Sequence, residues 1–270
     1  MKRCYKIHFV MKKVVIITGA SSGIGKTTAN YLTNKGYIVY GLSRRIVDDN
    51  FNSLKCDVTK REEIEEVVKT IYLKEGHIDV LINNAGMGIS GAVEYIDNNK
   101  TKELFNLNAL AYFDTCQIVI PYLKKTKGYI INISSIAAII PIPYQTAYSA
   151  SKAAINLFSL SLRLELKDSG IKVSAIMPGD TKTGFTNARI KNDNEEGYGS
   201  KISKSVKRME HDEQNGKSPL TVSKEIEKII LSNNPKALVS VGIEYKLVYF
   251  LSKILPNRLL MFIVNKMYNN

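Results

Sequence analysis

The sequence predicts an α/β domain in which parallel strands are joined by crossover helices. Three observations carry that prediction: short apolar runs rich in β-branched residues recur along the chain, segments of helix length separate them, and a glycine-rich turn follows the first run. A chain of 270 residues, 44% hydrophobic, can bury a sizeable core.

The first strand reads VVIIT (14–18) and runs directly into TGASSGIGKTT (18–28). Strand, glycine-rich turn and helix is the arrangement in which bare backbone N–H groups and the positive end of a helix meet a phosphate. Gly19 permits the tight turn, Gly23 lets a pyrophosphate approach the backbone, and Gly25 lets the helix pack closely on the strand. The spacing is G-x-x-x-G-x-G rather than G-x-G-x-x-G, so a glycine-rich loop of purely structural use is the competing reading.

The second strand, YIVYGLS (37–43), ends in Ser43, Arg44 and Arg45, with no carboxylate before Asp48. An acidic residue at that place would hold the ribose 2′-hydroxyl of NAD. A planar guanidinium suits a 2′-phosphate instead, which favours NADP(H), with NAD(H) as the alternative. The bland reading is an exposed basic pair neutralised by Asp48 and Asp49.

In DVTKREEIEEVVKTIYLKEG (57–76), Thr59 is the predicted N-cap and Glu62 its capping-box partner, ahead of Ile64, Val67, Val68 and Ile71 at helical spacing. DVLIN (79–83), GYIINIS (128–134), KVSAIMP (172–178) and ALVSV (237–241) supply further strands. YSASK (148–152) places Tyr148 and Lys152 on one helix face. An ammonium beside a phenol favours the phenolate, lowering its pKa from about 10 towards the range of a general acid/base. Spacing alone decides nothing, because Tyr31 with Lys35 and Tyr249 with Lys253 match the same pattern. Only Tyr148 follows, by thirteen residues, a serine at the end of a predicted strand, Ser135. That hydroxyl is placed to hold a carbonyl oxygen in the crevice of an open α/β sheet; ordinary strand-end capping is the alternative for Ser134 and Ser135.

Residues 184–218 form a polar, charge-rich segment without a clear pocket-lining pattern, read as an active-site lid or a partly disordered loop. From 235 onward come the last strand and two apolar, basic segments, EYKLVYFLSKILP and RLLMFIVNKMY, each too short to span a bilayer. A packed extension or subunit contact, a wall for a bulky apolar substrate, and peripheral contact with an anionic membrane are the three readings of that tail.

The net charge of +13 raises the question of nucleic acid, but much of the excess lies in the first thirteen and last twenty-five residues. No basic stripe interleaved with aromatics runs through the middle, so no nucleic-acid partner is expected. Cys4, Cys56 and Cys116 are scattered and odd in number, which fits a reducing, cytoplasmic compartment. No metal site is expected. The opening MKRCYKIHFVMKK lacks the apolar length of a signal peptide, and Met11 is the favoured initiator.

Together these motifs resemble the short-chain dehydrogenase/reductase family. TGASSGIG, NNAG (83–86), Asn108 in NLNALA, SS (134–135), YSASK and PGDTKT (178–183) stand in the family's order over about residues 12–185. The resemblance implies a Rossmann-type, doubly wound, seven-stranded parallel sheet with helices on both faces, interconverting alcohols and carbonyls with NAD or NADP. It further implies one domain: an extension over 1–11, a cofactor-binding and catalytic core over 12–185, a substrate-loop region over 184–218, and a last strand with a helical extension over 235–270.

Carried onto this chain, the resemblance makes Tyr148 the acid/base, Lys152 the residue that lowers its pKa and holds the nicotinamide ribose, Ser135 the carbonyl-orienting hydroxyl, and Asn108 the holder of a relay water. An asparagine within a helix can also simply satisfy buried backbone groups. Ser21, Ser22 and Ile24 belong with the glycine turn, Asp57 and Val58 with the adenine, and Asn84, Ala85 and Gly86 with the adenosine ribose. Ile176, Pro178, Gly179, Thr181 and Thr183 match the segment that orients the carboxamide. Ser22 stands where many NADP-preferring relatives carry a basic residue, so one of two usual NADP markers is present. The resemblance implies a homodimer or homotetramer. The tail favours a lipophilic alcohol or ketone such as a steroid, retinoid or long-chain keto lipid; sugar, polyol and acyl-carrier-bound ketones, and a non-catalytic NADP(H)-sensing protein, are the alternatives.

Overall fold

The computed structural model describes residues 12–192 and 194–268. The expectations for residues 1–11, including Cys4 and the start at Met11, lie outside the described residues. In chain order the strands are β1 (Val14–Thr18), β2 (Ile38–Ser43), β3 (Asn52–Lys55), β4 (Val80–Asn83), β5 (Ile89–Ser90), β6 (Tyr129–Ile133), β7 (Lys172–Pro178), β8 (Ile190–Lys191) and β9 (Leu238–Val241). The helices are α1 (Gly23–Asn34), α2 (Arg61–Glu75), α3 (Asn98–Phe105), α4 (Ala111–Thr126), α5 (Thr146–Glu165), α6 (Phe185–Ala188), α7 (Lys201–Gln214), α8 (Pro219–Leu231), α9 (Ile243–Ile254) and α10 (Asn257–Tyr268).

Seven strands form one parallel sheet in the order β3-β2-β1-β4-β6-β7-β9, and β5 pairs with β8 in a separate two-stranded ladder. Order reverses between β1 and β4, which opens a crevice at their carboxyl ends. The central strands are apolar on both faces because helices cover both. Val14 and Ile16 of β1 join one core with α2, α4 and α5 (Ile64, Val119, Leu162), while Val15 and Ile17 join the other with α1 and α8 (Leu32, Ile226). Burying one such side chain contributes about 1.5–3 kcal/mol.

Two local expectations are corrected. Helix α2 begins at Arg61, with Lys60 as its N-cap and no side-chain cap. Thr59 instead donates its N–H and hydroxyl to the Asp57 carboxylate at 3.1 and 2.8 Å, and Glu63, not Glu62, reaches back to accept from the Asp57 N–H at 2.8 Å. The Asp57 turn wins because its carboxylate offers the Thr59 hydroxyl a nearer partner than the helix does. Residues 184–218 are not a plain loop but contain α6, β8 and α7. Ile202, Ser205, Val206 and Met209 bury one face of α7 at helical spacing, and its charged residues cover the other.

Candidate active site

At the carboxyl ends of the strands lies a cleft of about 1000 Å³. Every residue that the sequence nominated for cofactor or chemistry lines it except Gly25, Asn108 and Ile176. The glycine turn explains its own composition. Gly19 sits at φ +68°, and a Cβ there would lie 2.8 Å from the Ala85 Cα. Gly23, at φ +54°, meets only the Thr183 side chain, at 3.4 Å, leaving its backbone open to the cleft. Gly25 lies beneath the turn: a Cβ would meet the Asn84 Nδ2 and the Gly19 carbonyl at 2.4 Å.

Asn84 is consumed in holding this geometry. Its Nδ2 donates to the Thr18 and Gly19 carbonyls at 2.9 and 3.2 Å, and the Asn84 and Ala85 N–H groups donate to the Thr18 hydroxyl. Beneath it runs a buried polar ladder that no motif announces: Thr115 donates to Asn83, Asn83 to Asn132, and Asn132 to Ser159. It ties α4, β4, β6 and α5 together below the site.

A dinucleotide fits what the residues offer at this end. Ser22 precedes α1 without capping it, and the first turn of α1 carries no acid, so the helix's positive end faces the cleft without a protein counter-charge. Asp49 pairs with Lys26 at 2.9 Å, leaving the arginines alone; among the described residues neither Arg44 nor Arg45 makes an ion pair. Burial pushes the Asp57 carboxyl up, but hydrogen bonds from Thr59, joined by the positive charges of Arg44 and Lys60, outweigh it and hold the carboxyl below its usual range. Ser43 donates to the Arg45 carbonyl and shapes that turn.

At the other end, Lys152 is buried, its Nζ donating to the Ile133 carbonyl at 2.9 Å and lying 5.9 Å from the Tyr148 ring centroid. The same Tyr-x-x-x-Lys spacing brings lysine over tyrosine at Tyr31 with Lys35 (5.6 Å) and Tyr249 with Lys253 (4.2 Å), on exposed lysines away from the cleft. The expected acidification of the phenol is absent here. Burial pushes Tyr148 up to about 12, helped by the Glu213 charge and opposed by the Ser135 hydroxyl and Arg189. Lys152 supplies no counterweight because it faces the Ile133 carbonyl and burial pushes its own pKa down to about 8.

Ser135 does both things the sequence allowed. Its oxygen accepts from the Ala137 N–H at 3.1 Å, capping a short turn, and the residue lines the cleft. Ser134 is structural, donating to the Lys152 carbonyl at 3.0 Å. Asn108 lies in a π-helical turn between α3 and α4. Its Nδ2 donates to the Met87 carbonyl and the Ser151 hydroxyl, and its Oδ1 accepts from the Met87 N–H. Both amide hydrogens are used, so only oxygen acceptor capacity remains for a water.

The segment after β7 is pinned from the carboxyl-terminal side. The Tyr245 ring of α9 lies where a Gly179 Cβ would be, 2.1 Å from it, and its hydroxyl donates to the Asp180 carboxylate and accepts from the Asp180 N–H. Thr181 donates to the Gly179 carbonyl, and Thr183 accepts from the Phe185 N–H. Beyond Tyr148 the cleft is walled by Met87, Ile136, Ile142, Phe185, Ile190 and Met209, with Gln145, Glu213 and Tyr268. No sequence motif marks these; only the helical period of α7 points to Met209. The Phe185 ring packs against Tyr148 at 5.7 Å, and buried Arg189 pairs with Glu213 beside it.

Known proteins carry the same pattern. The short chain dehydrogenase family model matches residues 13–194. A 3-ketodihydrosphingosine reductase of Bacteroides thetaiotaomicron is 39% identical over 264 residues, covering 95% of this chain and 98% of that protein. An NADPH-dependent 1-acyldihydroxyacetone phosphate reductase of Saccharomyces cerevisiae is 30% identical over 190 residues, covering 66% of this chain and 64% of that one. The crystal structure of a short-chain dehydrogenase from Streptomyces avermitilis superposes with a TM-score of 0.80 at 28% identity, over 90% of this chain and 92% of that one. Sheet order, cleft and relatives agree, and the chain belongs to the short-chain dehydrogenase/reductase family, oxidoreductases that use NAD(P)(H) on CH–OH and keto groups.

Proposed function

We propose that the protein is an NADPH-dependent reductase of a lipophilic ketone, working in a reducing, cytoplasmic compartment. The observation that carries the substrate class is the wall beyond Tyr148, built chiefly from Met87, Ile136, Ile142, Phe185, Ile190 and Met209. These apolar side chains outnumber the polar ones beside them, Gln145, Glu213 and Tyr268, and so favour a hydrocarbon over a polyol, whose many hydroxyls would lose water and gain few partners. The names of the Bacteroides and yeast relatives point the same way. The unpaired Arg44 and Arg45 support a 2′-phosphate, and the yeast relative's name specifies NADPH.

Bound in the cleft, the reduced nicotinamide supplies the hydride. The chain's own residues do the rest. Ser135 orients the carbonyl oxygen, and Tyr148, protonated at neutral pH, donates the proton that oxygen needs as the carbonyl carbon is reduced. Lys152 holds the nicotinamide ribose and the proton path behind Tyr148. Asn108 fixes the Met87 backbone beside the substrate and offers Oδ1 to a relay water. The glycine turn with Ser21, Ser22 and Ile24 receives the pyrophosphate, Asp57 and Val58 the adenine, Asn84 to Gly86 the ribose, and Pro178, Gly179, Thr181 and Thr183 the carboxamide. Residues 12–185 act as the catalytic core of one domain. Exposed Leu110, at the end of the π-helical turn before α4, with Phe113 on α4 and Leu157 and Leu164 on α5, supports a homo-oligomer built through these helices.

The test follows NADPH oxidation with ketones of increasing alkyl length. Rates rising with chain length are expected, and Tyr148→Phe should lower turnover about 10²- to 10⁴-fold while NADPH affinity stays within about twofold. Turnover of the variant near that of the parent would remove Tyr148 from the mechanism.

A further inference from the structure

The described chain ends in two helices that leave most of their apolar side chains exposed. On α9, Ile243, Leu247, Phe250 and Ile254 recur on one face, and each is at least 57% exposed. No α9 residue is buried, and α10 buries only Val264, leaving Phe262 and Met267 in the open. A contiguous patch of this kind marks an interaction surface.

Charge selects the occupant. Exposed Lys246, Lys253, Arg258 and Lys266 accompany the apolar side chains, and the single carboxylate of the two helices, Glu244, is paired with Lys217 at 2.7 Å. A second copy meeting this face across a two-fold axis would bring the same cations against themselves. An anionic lipid surface neutralises them. Among the described residues no helix is long and apolar enough to cross a membrane, which suits helices lying in the interface.

The two helices also border the cleft. Tyr268, at the end of α10, lines it; α10 packs on α7, whose Met209 lines it too; and Tyr245 of α9 lies against Gly179. We propose that α9 and α10 dock the enzyme onto an anionic bilayer, with the cleft beside the membrane. A long-chain ketone then enters from lipid without crossing water. This entry route rests on the lipophilic-ketone reading above, whereas the docking does not.

The full chain is sedimented with vesicles of phosphatidylcholine alone and of phosphatidylcholine with an equal part of phosphatidylglycerol. Binding to the mixed vesicles that weakens with salt is expected. Each basic residue removed near the surface costs roughly a fivefold loss, so Lys246→Gln, Lys253→Gln and Arg258→Gln together should weaken partitioning about 100-fold. Leu247→Ser with Phe250→Ser should also abolish binding while leaving turnover of a short, water-soluble ketone and the assembly's mass by light scattering unchanged. Failure to bind either vesicle, binding indifferent to lipid charge, or a change of assembly mass in the serine variant would overturn the docking. Vesicle binding by an enzyme that reduces no long-chain ketone would sustain the docking and remove the substrate reading.

Discussion

Replacing Lys152 with methionine should make the cofactor-free protein more stable at neutral pH while removing its activity. Lys152 is 4% exposed and its Nζ has, among the described residues, one hydrogen-bond partner, the Ile133 carbonyl at 2.9 Å. Burial lowers its pKa from 10.5 to about 8, so keeping the ammonium in the fold costs about 3 kcal/mol at pH 7. Methionine fills similar space without the charge but leaves the Ile133 carbonyl unpaired, at a cost of about 1–3 kcal/mol. The net gain at pH 7 is therefore about 0–2 kcal/mol. The sharper signature is its pH dependence. Between about 8 and 10.5 the unfolded lysine still holds its proton and the folded one has released it, so parental stability rises with pH through that window. The variant's advantage should accordingly shrink by about 2–3 kcal/mol between pH 7 and 10. Titrating groups remote from Lys152 cancel in the difference, and Tyr148 beside it stays protonated over this range. Urea unfolding of both proteins at pH 7, 8, 9 and 10 measures it directly. A difference that stays flat, or grows with pH, would refute the claim that burial alone depresses this lysine.

Two further outcomes follow from the same site. Because burial keeps the Tyr148 phenol protonated up to about 12, kcat/KM for ketone reduction should stay level from about pH 5 to 7, below the point near 8 where Lys152 releases its own proton, whereas alcohol oxidation should climb up to tenfold per pH unit over that range; reduction falling below neutrality would mean that Lys152 does acidify the phenol. Arg44→Gln with Arg45→Gln should weaken NADPH binding by about 10- to 100-fold and NADH binding by less than about twofold, measured by fluorescence titration, since hydrogen bonds to a charged phosphate contribute about 1.5–3 kcal/mol each. Equal losses for both cofactors would remove the 2′-phosphate clamp.

The backbone of the fold was legible because its causes are local. Strands β1, β2, β4, β6, β7 and β9 read as apolar runs, and Gly19 and Gly23 announce positive φ. Strand β3 was not legible: NSLK is short, half exposed and without alternation, and it becomes a strand only by pairing with β2 at the sheet edge. Helix α7 was readable in principle from Ile202, Val206 and Met209, but the density of charge around them obscured the period.

The site divides along the same line. Residue order and type along the chain were enough for the glycine turn, the tyrosine–lysine pair, the strand-end serine and the family, since each is a short-range pattern. Three tyrosine–lysine pairs share one spacing, and the fold alone buries just one of them in a cleft. Packing likewise decided that Lys152 faces the Ile133 carbonyl, that Tyr245 covers Gly179, and that residues as distant as Met87, Phe185, Met209 and Tyr268 share one wall. Burial and the direction of a side chain depend on neighbours remote in the chain, which is why proton affinities and the substrate wall had to wait for the tertiary structure.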